Sequence, residues 1–127
     1  MKTKQADKRR VHKLPVAKWV VAAIQELRPA ENQKRRDKEL PESAGIHVVW
    51  SGFNRRFKEE YGKDADPKAV TDKLADDGII VKVPWRGGAM VFIKGEEPDS
   101  FKHQLSPRED RQVAERIRAR VRGDRVG

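Results

Sequence analysis

A chain of 127 residues holds one domain with tails and is too short for two independent cores. Apolar residues make up 36% and charged residues 39%, so the core is small and the surface densely charged. The lack of cysteine excludes disulfides and thiol chemistry, and no apolar run is long enough to cross a membrane.

The net charge of +9 is unevenly placed. Residues 1–44 carry +6, residues 45–100 carry −1 and residues 101–127 carry +4. A neutral middle with basic flanks suits a polyanion such as nucleic acid, or an acidic protein partner. The basic N-terminus is not followed by an apolar segment and small-residue cleavage site, so the expected location is intracellular: cytoplasmic, with association to a nucleoid as one form of it.

Residues 1–13 have no apolar periodicity and read as a flexible basic arm. A first helix is expected over 15–28, with Val16, Val20, Ala23, Ile24 and Leu27 on one face and Pro29 as its stop. Residues 29–44 are polar and bounded by prolines, which predicts a charged linker or a frayed charged helix. Next, "GIHVVW" gives a short strand at 46–49, and Ser51 is placed to cap a second helix over 52–61. Phe53, Phe57 and Tyr61 form its inward stripe, and Gly62 closes it. Asp66 and Pro67 open a third helix over 67–77, with Val70 and Leu74 inward and Gly78 at its end.

Two apolar runs, 79–83 and 89–94, flank Pro84-Trp85-Arg86-Gly87-Gly88 and predict a β-hairpin. Its tip carries a tryptophan beside an arginine where turn chemistry alone asks for small polar residues. Finally, "SPRE" places Ser106 as N-cap and Glu109 in a capping box, opening a helix over 107–121. Val113, Ile117 and Val121 give it a thin apolar stripe, and its remainder is rich in arginine. Val20, Ile24, Leu27, Phe53, Phe57, Val70, Leu74, Val81 and Val91 are expected to share one core.

The order of helix, short strand, helix, helix and hairpin resembles the winged-helix superfamily, the helix-turn-helix variant whose hairpin is the wing. The residues that carry it are the Phe53–Tyr61 helix, the turn "GKDADP", and "LADDGII" where the third helix runs into the hairpin. The fold it implies is α+β, mainly α, with the winged-helix domain at 14–98, a basic arm at 1–13 and a basic C-terminal helix and tail at 99–127. It further implies that the third helix enters the major groove of duplex DNA, presenting Lys68, Thr71, Asp72 and Ala75 with Lys73 at the edge. The wing tip would offer Trp85 and Arg86 to backbone or minor groove.

Other basic groups are candidates for phosphate contact: Arg55 and Arg56 on the second helix, Lys8, Arg9 and Arg10 in the arm, Lys34, Arg35 and Arg36 after Pro29, and Arg116 and Arg120 on the last helix. Ordinary solvated charge is the competing reading of each. Asp72, Asp76 and Asp77 make the third helix a poor phosphate surface. His12, His47 and His103 lack metal-ligand spacing, "RGGAM" lacks the lysine and helix of a phosphate loop, and Ser51 has no legible catalytic partner. The expectation is a non-enzymatic protein with no cofactor or metal. Duplex DNA is its favoured ligand and RNA the other, as a transcriptional regulator or an accessory factor of a DNA-handling complex. The alternative is an interaction module within a larger protein assembly, whose basic tails grip RNA or an acidic partner.

Overall fold

In the computed structural model, which describes residues 14–123, the first helix, α1, runs Val16–Asp37, well past the proline expected to stop it. Pro29 cannot donate to the carbonyl of Gln25, one turn back. Both residues lie on the exposed face, where water can serve that carbonyl. Beyond Pro29 the helix is held by distant partners. Asn32 exchanges two hydrogen bonds with the backbone of Ser43, at 3.0 and 2.8 Å. Arg28 donates to the carbonyl of Ala44, and Glu31 accepts from the backbone N–H of His47. The end is closed by Leu40 N to Arg35 O and Glu39 N to Arg36 O, a left-handed cap in which Glu39, at φ 58°, takes the place glycine usually fills. Of the two readings of residues 29–44, the charged helix holds as far as Asp37 and the linker is corrected there, while residues 38–44 are tied back onto that helix.

Strand β1, Ile46–His47, is reached through Gly45, where a Cβ would lie 2.3 Å from the carbonyl oxygen of Val91. Only a glycine lets the chain enter the sheet this closely. Helix α2 spans Phe53–Tyr61. Ser51 stands one position before its N-cap, which is Gly52, and its Oγ accepts from Phe53 N at 3.2 Å. Phe53 and Phe57 are buried, and the Trp19 ring packs against them and Tyr61 at 5.5–6.0 Å.

Helix α3, Pro67–Asp76, opens as expected, with Asp66 accepting from Ala69 N. Its inward face is broader than the Val70/Leu74 pair: Thr71 and Ala75 are buried as well. A compact hydroxyl can satisfy itself inside a helix, and Thr71 Oγ1 donates to the carbonyl of Pro67 at 2.9 Å.

Strands β2, Ile80–Trp85, and β3, Gly88–Ile93, pair antiparallel up to Trp85 opposite Gly88, leaving Arg86-Gly87 as a two-residue turn. Strand β1 adds to the far side of β3, giving a three-stranded antiparallel sheet in the order β1-β3-β2. Period-two alternation sends Ile80, Ala89 and Val91 to the helical layer with Val20, Ile24, Phe53, Phe57 and Leu74. Val81, Val83, Met90 and Phe92 face the other way and form a second cluster. Val81 is thus buried, but apart from the core assigned to it. Phe101, ending a single 3₁₀ turn at Asp99–Phe101, covers that second face with its ring 5.7 Å from Phe92.

Helix α4, Pro107–Arg122, begins with the expected capping box between Ser106 and Glu109. Asp76 of α3 accepts from the backbone N–H of Arg108 at 2.7 Å and anchors this end. No described residue of α4 is buried, and Ile117 and Val121 are 57% and 81% exposed. The fold is α+β and mainly α, in a helix-strand-helix-helix-hairpin order consistent with a generic winged-helix-like arrangement.

Candidate nucleic-acid interface

The hairpin tip is built for a tight reversal. Arg86 and Gly87 have φ of 31° and 76°, both positive, as a type I′ turn requires. Glycine accepts that conformation freely and arginine does not. Trp85 is 42% exposed, and the Arg86 guanidinium lies 5.9 Å from its ring centroid, within cation–π range.

The tip does not hang free. His47 is completely buried, and its Nε2 lies 3.0 Å from the carbonyl oxygen of Trp85 and 3.2 Å from that of Arg86. On the other side of the ring, Nδ1 faces the backbone N–H groups of Val49 and Trp50 at 3.2 and 3.1 Å. Two donors aimed at Nδ1 assign the ring proton to Nε2, which then donates to the tip. Trp50 stacks on the imidazole at 3.9 Å and 13° and is 54% exposed. Gly88 makes room for this arrangement, since a Cβ there would sit 2.9 Å from His47 Cε1.

Beside the tip lies an open groove of about 690 Å³. The last turn of α1 and its cap bring Lys34, Arg35 and Lys38 to it; Trp50, Trp85, Arg86, Met90, Phe92 and Phe101 also line it. Glu31 also lines it, with Oε2 occupied by His47 N and Oε1 buried without a hydrogen-bond partner. Of the residues singled out in the sequence, Lys34, Arg35, Trp85 and Arg86 meet here. Arg36 does not: it pairs with Glu42 at 2.8 Å and Gln33 at 2.6 Å. Lys38 and Trp50 were missed. Their signal was faint, because Trp50 ends an apolar run that reads as one strand, whereas the chain leaves the sheet after His47 and turns the indole outward.

The surface of α3 differs from the expectation. Thr71 is 1% exposed and cannot reach a ligand, and Ala75 is buried with it. Lys68 pairs with Asp72 and Lys73 with Asp77, both at 3.1 Å. Lys82 of β2 reaches across to Asp72 at 2.7 Å and to Thr71 Oγ1 at 2.8 Å. Burial pushes the Asp72 carboxyl up, but hydrogen bonds and charge from Lys82 and Lys68 outweigh it and hold the group below the usual aspartate range. Elsewhere, Arg55 pairs with Glu59 on the exposed side of α2, where Arg56 is also exposed, and Arg116 and Arg120 are exposed on α4. Lys8, Arg9 and Arg10 lie outside the described residues. Among the described residues no group of three or more acidic, histidine or cysteine side chains could hold a metal, and no helix is long and apolar enough to cross a membrane.

Comparison with known proteins finds no matching family model, no matching curated protein and no matching solved structure.

Proposed function

We propose that this chain is a non-enzymatic, intracellular nucleic-acid-binding protein of winged-helix type, with duplex DNA its first ligand. It acts as a transcriptional regulator or an accessory factor of a DNA-handling complex. The contact surface is the wing tip together with the end of α1, rather than α3. One observation carries the reading: Lys34 and Arg35 of α1, Lys38 just past its end and Arg86 of the tip share a groove with two half-exposed tryptophans. Cations gathered in one groove bind phosphate by releasing counterions, and aromatic faces add stacking that charge alone does not supply. Helix α3 contributes little because carboxylates on its own face already neutralise Lys68 and Lys73.

The test is titration with duplex DNA, single-stranded DNA and structured RNA at several salt concentrations, for the parent chain and a Lys34→Ala, Arg35→Ala, Lys38→Ala variant. The expected result is weaker binding to every sequence and a flatter salt dependence, by about 0.9 in log–log slope for each phosphate of B-DNA that is no longer neutralised. Unchanged affinity and slope would remove the groove from the reading. A second reading, a module of a larger assembly, draws on the exposed Ile117 and Val121 of α4. It predicts that the groove variant binds all three nucleic acids as the parent does, with any RNA binding carried by the basic tails.

A further inference from the structure

We propose that the groove between α1 and the wing tip seats an unpaired nucleotide, its base stacked on Trp50 and Trp85 and its phosphates held at the rim by Lys34, Arg35, Lys38 and Arg86. The proposal rests on the reading of this surface as a nucleic-acid interface and adds to its phosphate contacts with duplex DNA a second mode, in which the groove itself takes an unpaired base.

Three features point to a base rather than to phosphate alone. First, one indole is oriented by stacking and the other is carried on a braced backbone. His47 covers one face of Trp50, so the exposure of that ring belongs to its other face and edge, and the same imidazole fixes the backbone that carries Trp85. A stacking platform held in place this way loses little side-chain entropy when a base lands on it. Second, the lining is mixed. Besides Lys34, Arg35, Lys38 and Arg86 it holds the carboxylates of Glu31 and of Glu42, the latter paired with Arg36, and the apolar Met90, Phe92 and Phe101. A phosphate is repelled by those carboxylates and poorly solvated against those apolar side chains. A neutral ring is compatible with both, leaving the anion at the basic rim. Third, a space of about 690 Å³ falls in the range of small-ligand sites, roughly 300–1,000 Å³. A paired base stays inside its own stack and offers neither tryptophan a face, whereas a single-stranded segment does so without an unpairing cost.

The experiment compares a short single-stranded oligodeoxynucleotide with the blunt-ended duplex it forms with its complement, following intrinsic tryptophan fluorescence and affinity at one salt concentration. The parent protein is expected to be quenched by the single strand. In a Trp50→Phe, Trp85→Phe double variant the quenching is expected to vanish, because the remaining Trp19 is packed against Phe53, Phe57 and Tyr61. Trp85→Ala is expected to weaken single-strand binding about 10-fold or more and duplex binding by a clearly smaller factor, as loss of one base–aromatic stack implies. Trp50→Phe, which keeps a ring on His47, is expected to retain part of the affinity that Trp50→Ala loses, and a parental circular-dichroism spectrum for each variant shows that the fold is intact. Equal losses for both ligands, or single-strand binding without quenching, would overturn the unpaired-base seat and leave nucleic-acid binding standing. Failure of the parent to bind either ligand would overturn both.

Discussion

His47 Nε2 lies 3.0 Å from the carbonyl oxygen of Trp85, joining the end of β1 to the tip of a hairpin whose nearer strand, β3, lies between them in the sheet. The approach is possible because Gly88 has no side chain at the crossing point. One imidazole thereby accepts from two backbone N–H groups, donates to the tip and supports the Trp50 ring. Replacing it by alanine removes all of these at once, in a fully buried position. His47→Ala should cost about 2–4 kcal/mol through unpaired backbone groups and a cavity. Thermal melting measures the loss, and faster amide exchange at Arg86–Gly88 should accompany it. A variant with parental exchange at the tip would show that the brace is not what orders the hairpin.

Arg86 sits at positive φ in a turn that favours Asn-Gly. Arg86→Asn should therefore stabilise the fold, by about 0.5–1 kcal/mol through relief of left-handed strain. The same change should weaken nucleic-acid binding by about 1–2 kcal/mol through removal of one charged hydrogen-bonding group. Opposite signs in the melt and in the titration are the expected outcome. If stability rises while affinity holds, the guanidinium is not part of the interface.

Asp72 links α3 to β2 through Lys82. Its carboxyl titrates below the ordinary value of 3.8, so the stability from this clasp is complete above that value and is lost as pH falls through the depressed folded value. Glu97 behaves alike: its own backbone N–H lowers its carboxyl, burial opposes this, and the backbone N–H of Gly95 and the charges of Lys94 and Lys102 lower it further. Unfolding free energy should accordingly drop below about pH 4. Asp72→Asn should cost about 1–3 kcal/mol at neutral pH, as loss of a charged hydrogen bond implies, and should flatten the acid limb. A variant with the parental slope below pH 4 would show that Asp72 plays no part in it.

Phe57 is fully buried in the helical layer, packed against Trp19, Phe53 and Tyr61. Phe57→Ala should cost about 3–5 kcal/mol, most of the stability of a domain this small. Calorimetry or denaturant titration checks it, and a parental midpoint would show that the aromatic cluster is not the centre of the core.

What the sequence determined by itself lies within a few residues along the chain. The Ser106–Glu109 box, the Asp66 cap, the Phe53–Phe57–Tyr61 stripe and the alternation of β2 and β3 each depend on neighbours no more than one helical turn or one strand step away, so spacing alone revealed them. The tertiary structure decided whatever depended on partners far along the chain. Pro29 looked like a stop because its local cost is visible, while the bonds that carry α1 past it, from Glu31 to His47, Asn32 to Ser43 and Arg28 to Ala44, span 11 to 16 residues. Thr71 was set on the outward face by the winged-helix resemblance, whereas its burial and the approach of Lys82 follow from how α3 lies on the sheet. The groove is the furthest case. Helical continuity past Pro29 carries Lys34 and Lys38 to the wing, and His47 holds Trp50 and Trp85 beside them, so its chemistry comes from three separate stretches of chain that only folding brings together.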